Sequence, residues 1–224
     1  MPIKKNLEII FGAFATGLGI KSLTYIDKIV DPSWLALILS ALLGSLIFSF
    51  LKFLYSLPMK FSILRKFIDR KYGIEGYWFE MVDNTPEHPY SFAWIEYRPE
   101  YNTFLYNGRN FTEDLKINAR WQSSALTIDE KNDIIHFLSD ADKIAGPENI
   151  RGSGFINFSN LNNHIYTTAS GSFIDDGCGN QLKKRTFSAE RISNKKIKSI
   201  IGKKVVHTDT EILDIVKKIA TKKT

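Results

Sequence analysis

The polarity pattern divides the chain in two. Residues 34–51, WLALILSALLGSLIFSFL, run for about 18 positions without a charge. A helix of that length crosses most of a bilayer's hydrocarbon core. The core helix of a water-soluble domain would instead carry polar positions on its outer face. An earlier apolar segment spans residues 7–26; its centre, 9–20, is apolar apart from Thr16, and Lys21 beyond it can snorkel to an interface. The connection 27–33, DKIVDPS, is short, and Asp31-Pro32-Ser33 makes a turn and a helix start. The pattern therefore predicts an antiparallel two-helix transmembrane hairpin. A signal peptide shares the layout of MPIKK followed by an apolar run, but Glu8 and the second run so soon afterwards favour the hairpin.

Small residues recur at four-residue spacing in both helices: Ala13 with Gly17, Ser40 with Gly44, and the row Ala41, Ser45, Ser49. Such rows let helices approach closely in lipid. They serve either to pack the hairpin on itself or to join hairpins of several chains. Residues 55–72 read as a basic, partly apolar interfacial helix that Pro58 starts and Gly73 ends, with Phe61, Leu64 and Ile68 on one side.

From Gly76 the period changes to that of short strands. Strands are predicted at 76–82, 90–98, 103–111, 116–129, 134–140, 150–158, 165–174 and 184–192, separated by turn-rich stretches such as Asp83-Asn84-Thr85-Pro86. Eight successive strands without an intervening helix point to an antiparallel up-and-down β-barrel of lipocalin-like shape. A barrel of that size holds its own side chains or one small ligand. Five strands of a more open sheet are the alternative. Thr208 with Glu211 forms a capping box for a closing C-terminal helix at 210–220, whose apolar face is Ile212, Ile215, Val216 and Ile219. The expected division is 1–55 hairpin, 56–75 basic linker and 76–224 barrel domain with its C-terminal helix.

Charge orients this arrangement. Lys4 and Lys5 precede the first helix, and Lys52, Lys60, Arg65, Lys66, Arg70 and Lys71 follow the second, while the connection offers only Lys28. The positive-inside bias then places both termini and the barrel in the cytoplasm. The formal net charge of +6 owes much to these flanks and to the lysine-rich tail, so membrane proximity explains part of it without a ligand. Cys178 is the single cysteine, which excludes a disulfide framework.

The four histidines are scattered, and no phosphate-binding P-loop, dinucleotide fingerprint or Gly-x-Ser-x-Gly elbow occurs. Asp175–Asn180 lacks the ligand alternation of a calcium loop and reads as a hairpin turn. Arg98, Arg109, Arg120, Arg151, Arg185 and Arg191 all fall on predicted strands or their ends. An arginine facing into a barrel needs an anionic partner, either internal, with Glu80 and Glu96 as candidates, or a ligand.

The helix pair, Gly76-Tyr77-Trp78 at the first strand, Trp121-x-Ser123, Arg151-Gly152-Ser153-Gly154-Phe155 and Gly171-Ser172-Phe173-Ile174-Asp175 occur in an order that resembles the membrane effectors of bacterial CBASS anti-phage systems. Those effectors join two transmembrane helices to a cytosolic barrel that senses a cyclic oligonucleotide. The likeness runs to about Ile192; Gly-x-Trp also opens lipocalin-type barrels. The resemblance implies a non-enzymatic, multi-pass protein of the bacterial inner membrane, without cofactor and without a polymeric nucleic-acid partner. A nucleotidyltransferase encoded nearby would supply a cyclic dinucleotide after infection; the barrel would bind it, chains would associate into a homo-oligomer, and the hairpins would disrupt the membrane lipids and kill the infected cell.

Residue chemistry, not the resemblance, nominates the site. Nucleobases call for aromatic platforms, for which Trp78, Trp94, Tyr97 and Trp121 are candidates; each has packing as its alternative role. Phosphates call for arginine forks, for which Arg109, Arg151 and Arg185 are candidates. Thr168 or Asn180 would read a base edge. Two other classes stay open: a membrane-anchored lipocalin-like binder of a lipid or metabolite, with an apolar cavity, and a membrane-tethered enzyme, for which clustered titratable groups would be required.

Overall fold

The computed structural model describes residues 2–26, 28–29, 33–83, 85, 88–144, 149–175 and 183–221. The chain forms two compact units, Met1–Arg65 and Lys66–Thr224.

In the first unit, α1 (Pro2–Ile26) and α2 (Ser33–Lys60) pack against each other. Both are long and apolar enough to cross a bilayer, over Ile9–Ile26 and Trp34–Leu54. Their contact is made by small residues: a Cβ added at Gly19 would lie 3.3 Å from the Ser40 carbonyl, and one at Gly44 would lie 3.3 Å from the Ala15 carbonyl. The Ser40–Gly44 row thus packs the pair together. Ala13 and Gly17 are exposed, and nothing lies within 4 Å of a Cβ at Gly17. Ala41, Ser45 and Ser49, with Gly12, Thr16 and Phe48, line a groove of about 650 Å³ along the pair. The expected helix start at Pro58 is corrected: α2 runs through Pro58 to Lys60, and α3 (Ser62–Ile68) begins two residues later. Proline costs a helix most in its interior; here α2 ends within a turn of it.

The second unit is a closed barrel of eight antiparallel strands in sequential order: β1 (Gly76–Val82), β2 (Tyr90–Arg98), β3 (Thr103–Phe111), β4 (Ile117–Asp129), β5 (Ile134–Lys143), β6 (Asn149–Asn162), β7 (Ile165–Asp175) and β8 (Lys183–Ile192). The barrel closes where β8 pairs with β1, Trp78 opposite Arg191 and Val82 opposite Phe187. Period-two alternation sorts the side chains. Trp78, Glu80 and Val82 face inward, as do Phe187 and Ala189 on the adjoining strand, all buried.

One end is stoppered. A short 3-10 helix, Arg70–Ile74, precedes β1 and sends Tyr72 into the barrel, its ring 4.9 Å from Tyr97 and 5.7 Å from Phe104. The Trp78 indole N–H donates to the Ile74 carbonyl at 3.1 Å. Arg191 completes the stopper. It donates to the carbonyls of Gly73, Glu75 and Tyr166 and lies over the Trp78 ring at 5.6 Å. Burial pulls its pKa down to about 10, so it stays a cation at neutral pH and needs those acceptors.

The outward face of β1–β3 is apolar as well, which explains why Tyr77, Trp78 and Phe79 follow one another. Phe79, Phe92 and Phe111 pack beneath α4 (Asn194–Ile201) and α5 (Asp209–Ala220) through Ile197, Ile212, Ile215, Val216 and Ile219. The capping box of α5 forms as expected: Thr208 Oγ1 accepts from the Glu211 N–H at 3.3 Å, and Glu211 accepts from the Thr208 N–H at 3.2 Å. The helix α4 was not expected. Ser193 caps its start, and Gly202, at φ 77°, ends it in the left-handed conformation.

Several interior rings lie flat on glycines. A Cβ at Gly171 would collide with the Phe155 carbonyl and the Phe187 ring, neither of which has room to yield. Gly171→Ala is therefore expected to destabilise the barrel by about 1–3 kcal/mol. Chemical denaturation, compared with Gly202→Asn at a site where glycine serves only its φ, checks this.

Candidate functional site

The interior between the stopper and the far end carries the polar side chains. On β8 the inward row is Arg185, Phe187, Ala189 and Arg191, while Lys184, Thr186, Ser188 and Glu190 are exposed. Arg185 is therefore an inward-facing cation near the far end; its side chain is 12% exposed. Asp175, the last residue of β7, lies diagonally across the ladder and meets Arg185 Nε at 3.2 Å, itself 20% exposed. His88, buried just before β2, presents Nε2 to the Arg185 guanidinium. A guanidinium only donates, so Nε2 accepts and the proton of the neutral imidazole sits on Nδ1.

Four strands round the barrel, Trp121 stands on the inward row of β4. Its indole covers Gly108, which leaves no room for a Cβ, and its Nε1–H donates to Asn110 Oδ1 at 2.9 Å. Its edge meets Tyr106 at 4.5 Å between centroids, and the Tyr106 hydroxyl donates to Glu80 Oε1 at 2.5 Å. Glu80 is 5% exposed. No cation pairs with it among the described residues. Ser91 faces it across the β1–β2 ladder, with its Oγ short of a formed hydrogen bond. Burial pushes the Glu80 carboxyl up to about 7, against the opposing pull of nearby hydroxyls, Tyr106 first. Burial, and then the Glu80 charge, push the Tyr106 hydroxyl well above its ordinary value. Glu80 was expected as an arginine partner; its partner is a phenol instead.

Of the nine residues nominated from the sequence, the structure brings Trp121 and Arg185 into this space. Trp78 and Tyr97 also face inward, but at the stoppered end. Trp78 is held as described above, and the Tyr97 hydroxyl donates to Asn102 Oδ1 at 2.7 Å. Trp94 and Arg109 lie on the outside, with Arg109 5.2 Å above the Trp94 ring and bonded to Asp209 Oδ1 of α5 at 2.9 Å. Arg120 holds the other oxygen of Asp209 at 2.7 Å. Arg151 is also outside, 82% exposed and loosely paired with Asp140 at 3.4 Å. Thr168 faces out, its hydroxyl bonded to Asn160 and Ser159. Asn180 lies outside the described residues. Glu96, the second expected internal carboxylate, is outward and pairs with Arg98 at 3.3 Å.

Sequence reasoning missed Asp175, His88 and Asn110 as members of the set. The phase of β8, which puts Arg185, Phe187 and Ala189 on one face, was a readable signal; the loop residue His88 left none. Among the described residues no group of three or more His, Cys, Asp or Glu side chains converges to hold a metal. The set comprises a guanidinium paired with a carboxylate, an indole packed on Gly108, and hydrogen-bonding groups, all on inward faces of the barrel.

No protein-family model, curated protein or solved structure matches the chain.

The buried acid gives a signed pH dependence. Glu80 binds its proton up to about pH 7 in the folded chain, against an ordinary value of 4.5. Its contribution is complete below pH 4.5 and is lost as pH rises through 7, because the unfolded chain releases the proton first. Wild-type stability is expected to fall relative to Glu80→Gln by up to ~3 kcal/mol across that interval. Paired denaturation series at several pH values measure the difference.

Proposed function

We propose that this chain is a membrane-tethered sensor of a cyclic dinucleotide and acts as an effector of a CBASS-type antiviral system. On this reading α1 and α2 span the bacterial inner membrane with both termini in the cytoplasm. The barrel takes the ligand through its far end, and binding drives hairpins together until the membrane fails. The observation that carries the reading is the inward Arg185 beside Asp175, with Trp121 across the barrel. Asp175 already offsets the cost of enclosing this cation, but the guanidinium fork also matches a phosphate. Asp175 then stands where a phosphate oxygen would bind, and the ligand must displace it. The polar lining of Arg185, Asn110, Ser91 and Glu80 is unsuited to an acyl chain, which sets this reading above a lipid carrier.

A screen of cyclic di- and trinucleotides against the detergent-solubilised chain tests it. One member should bind. Arg185→Ala should weaken that member by about 10- to 100-fold, the worth of a charge-assisted hydrogen bond. Trp121→Leu should weaken it by about tenfold or more, as loss of a stacking surface does. Asp175→Asn should tighten it, and Arg151→Ala, on the outer wall, should leave it unchanged. Absence of binding across the panel, or equal loss in Arg151→Ala and Arg185→Ala, would remove the proposal.

The switch requires that ligand bind the associated state more tightly than the resting one. Crosslinking in proteoliposomes should show larger oligomers with ligand than without. Ser45→Leu, which fills the groove between α1 and α2, should suppress that increase while ligand binding persists.

A further inference from the structure

The stoppered end of the barrel is also the end at which the chain arrives from α2. Lys66–Ile74 lead into β1, and β8 finishes beside it, with Tyr77 opposite Ile192. The chain leaves from the same end. Asn194 starts α4 two residues after β8, and Lys195, Lys196 and Lys198 are all exposed on that helix. The Val206 N–H then donates to the Tyr77 hydroxyl at 3.1 Å, which returns Lys204 and Val205 to this end; Val205 is 51% exposed. None of the four lysines has a carboxylate partner among the described residues.

The acids at this end are otherwise engaged. Asp69 and Glu130 hold Lys71, Asp133 holds Arg70, and Asp129 is bonded within its own turn by Asn132. Lys203 is neutralised by Glu211. Glu96 is held by Arg98, which leaves Glu100 in the β2–β3 turn and Glu190 on the outer face of β8 as exposed carboxylates against the four lysines. The end at which the chain arrives from α2 therefore carries four exposed ammonium groups without a carboxylate partner among the described residues, together with the exposed apolar side chains of Val205, Tyr101 and Leu161.

We propose that the face formed by Lys195, Lys196, Lys198, Lys204 and Val205 docks on anionic lipid headgroups of the bilayer that anchors the chain. The inference rests on the reading that α1 and α2 span that bilayer. Lysines held within a screening length of an anionic surface are attracted to it, and the attraction is lost in salt. Docking of this face turns the stoppered end toward the lipid and the Arg185 end toward the cytosol.

The test uses the full chain in nanodiscs, with Cys178→Ser and a nitroxide on Val205→Cys, or on Glu113→Cys in the β3–β4 turn at the far end. In discs containing phosphatidylglycerol, accessibility of the Val205 label to a water-soluble relaxant should be about twofold or more below that in phosphatidylcholine discs. It should recover at about 1 M salt, where the screening length is about 3 Å. Lys195→Gln, Lys196→Gln, Lys198→Gln and Lys204→Gln combined should abolish the difference, and the Glu113 label should show none. Equal accessibility of the Val205 label in the two lipids, or a difference that salt and the quadruple variant leave intact, overturns the docking. Release of the chain from membranes by alkaline carbonate would instead overturn the spanning reading, and the docking with it.

Discussion

Arg191 is the constraint on which the barrel depends. An eight-stranded barrel with both ends alike is a tube, and a tube has no floor. Here a guanidinium enclosed by protein takes the backbone carbonyls of Gly73 and Glu75, which precede β1, and that of Tyr166 on β7. The contact ties the 3-10 helix to the last strand, beside the β1–β8 seam. Arg191 also explains Gly76. At φ 143° any side chain would be strained, and a Cβ there would meet the guanidinium at 2.5 Å. Closure, floor and first strand are thus one structural decision, and the rings of Tyr72, Tyr97, Phe104, Trp78 and Phe158 fill the space above it.

The strands were legible because their period and their turns agreed. The β1, β2 and β3 boundaries coincide with those read from the sequence, and β4 starts one residue later than expected; β5 to β8 run longer, since paired neighbours extend a ladder past the last apolar residue. Both-sided hydrophobicity in β1 was the harder signal. Tyr77-Trp78-Phe79 breaks the alternation of a half-solvated strand, and the cause lies more than 110 residues away, in α4 and α5 laid over the outer wall. A helix as polar as NKKIKSII shows its single buried side chain, Ile197, only against that wall. The α2 boundary was misread because proline was taken as a start, whereas α2 runs two residues past Pro58 before it stops.

The arginines show where sequence falls short of a site. Placing six arginines on strands is simple, but their faces depend on register and bulges, and their partners on tertiary contacts. Arg109 and Arg120 turned out to clasp Asp209, the first residue of α5, and so pin that helix to β3 and β4. This is a structural clamp built from the same residue types that a phosphate site would use. Inward direction alone separates Arg185 from them, and it follows from one residue of phase: Lys184 and Thr186, on either side, are exposed.

A caged arginine already paired with a carboxylate also limits which anions can compete for it. Asp175 is covalently held beside Arg185, so it acts at a high effective concentration, on the order of millimolar or more. A free monoanion offers nothing that Asp175 lacks and gains little by exchange. On the proposed reading, a ligand prevails only by adding contacts elsewhere in the same binding event. The indole face of Trp121 across the barrel and a second phosphate are the natural sources. The pairing of Arg185 with Asp175 would thereby set the threshold: mononucleotides, with one base and one phosphate group, would fall below it, and a cyclic molecule with two of each would exceed it. Discrimination would then come from the strength of an internal competitor rather than from a tailored pocket wall. A barrel whose lower half is filled with its own rings has little spare wall to tailor.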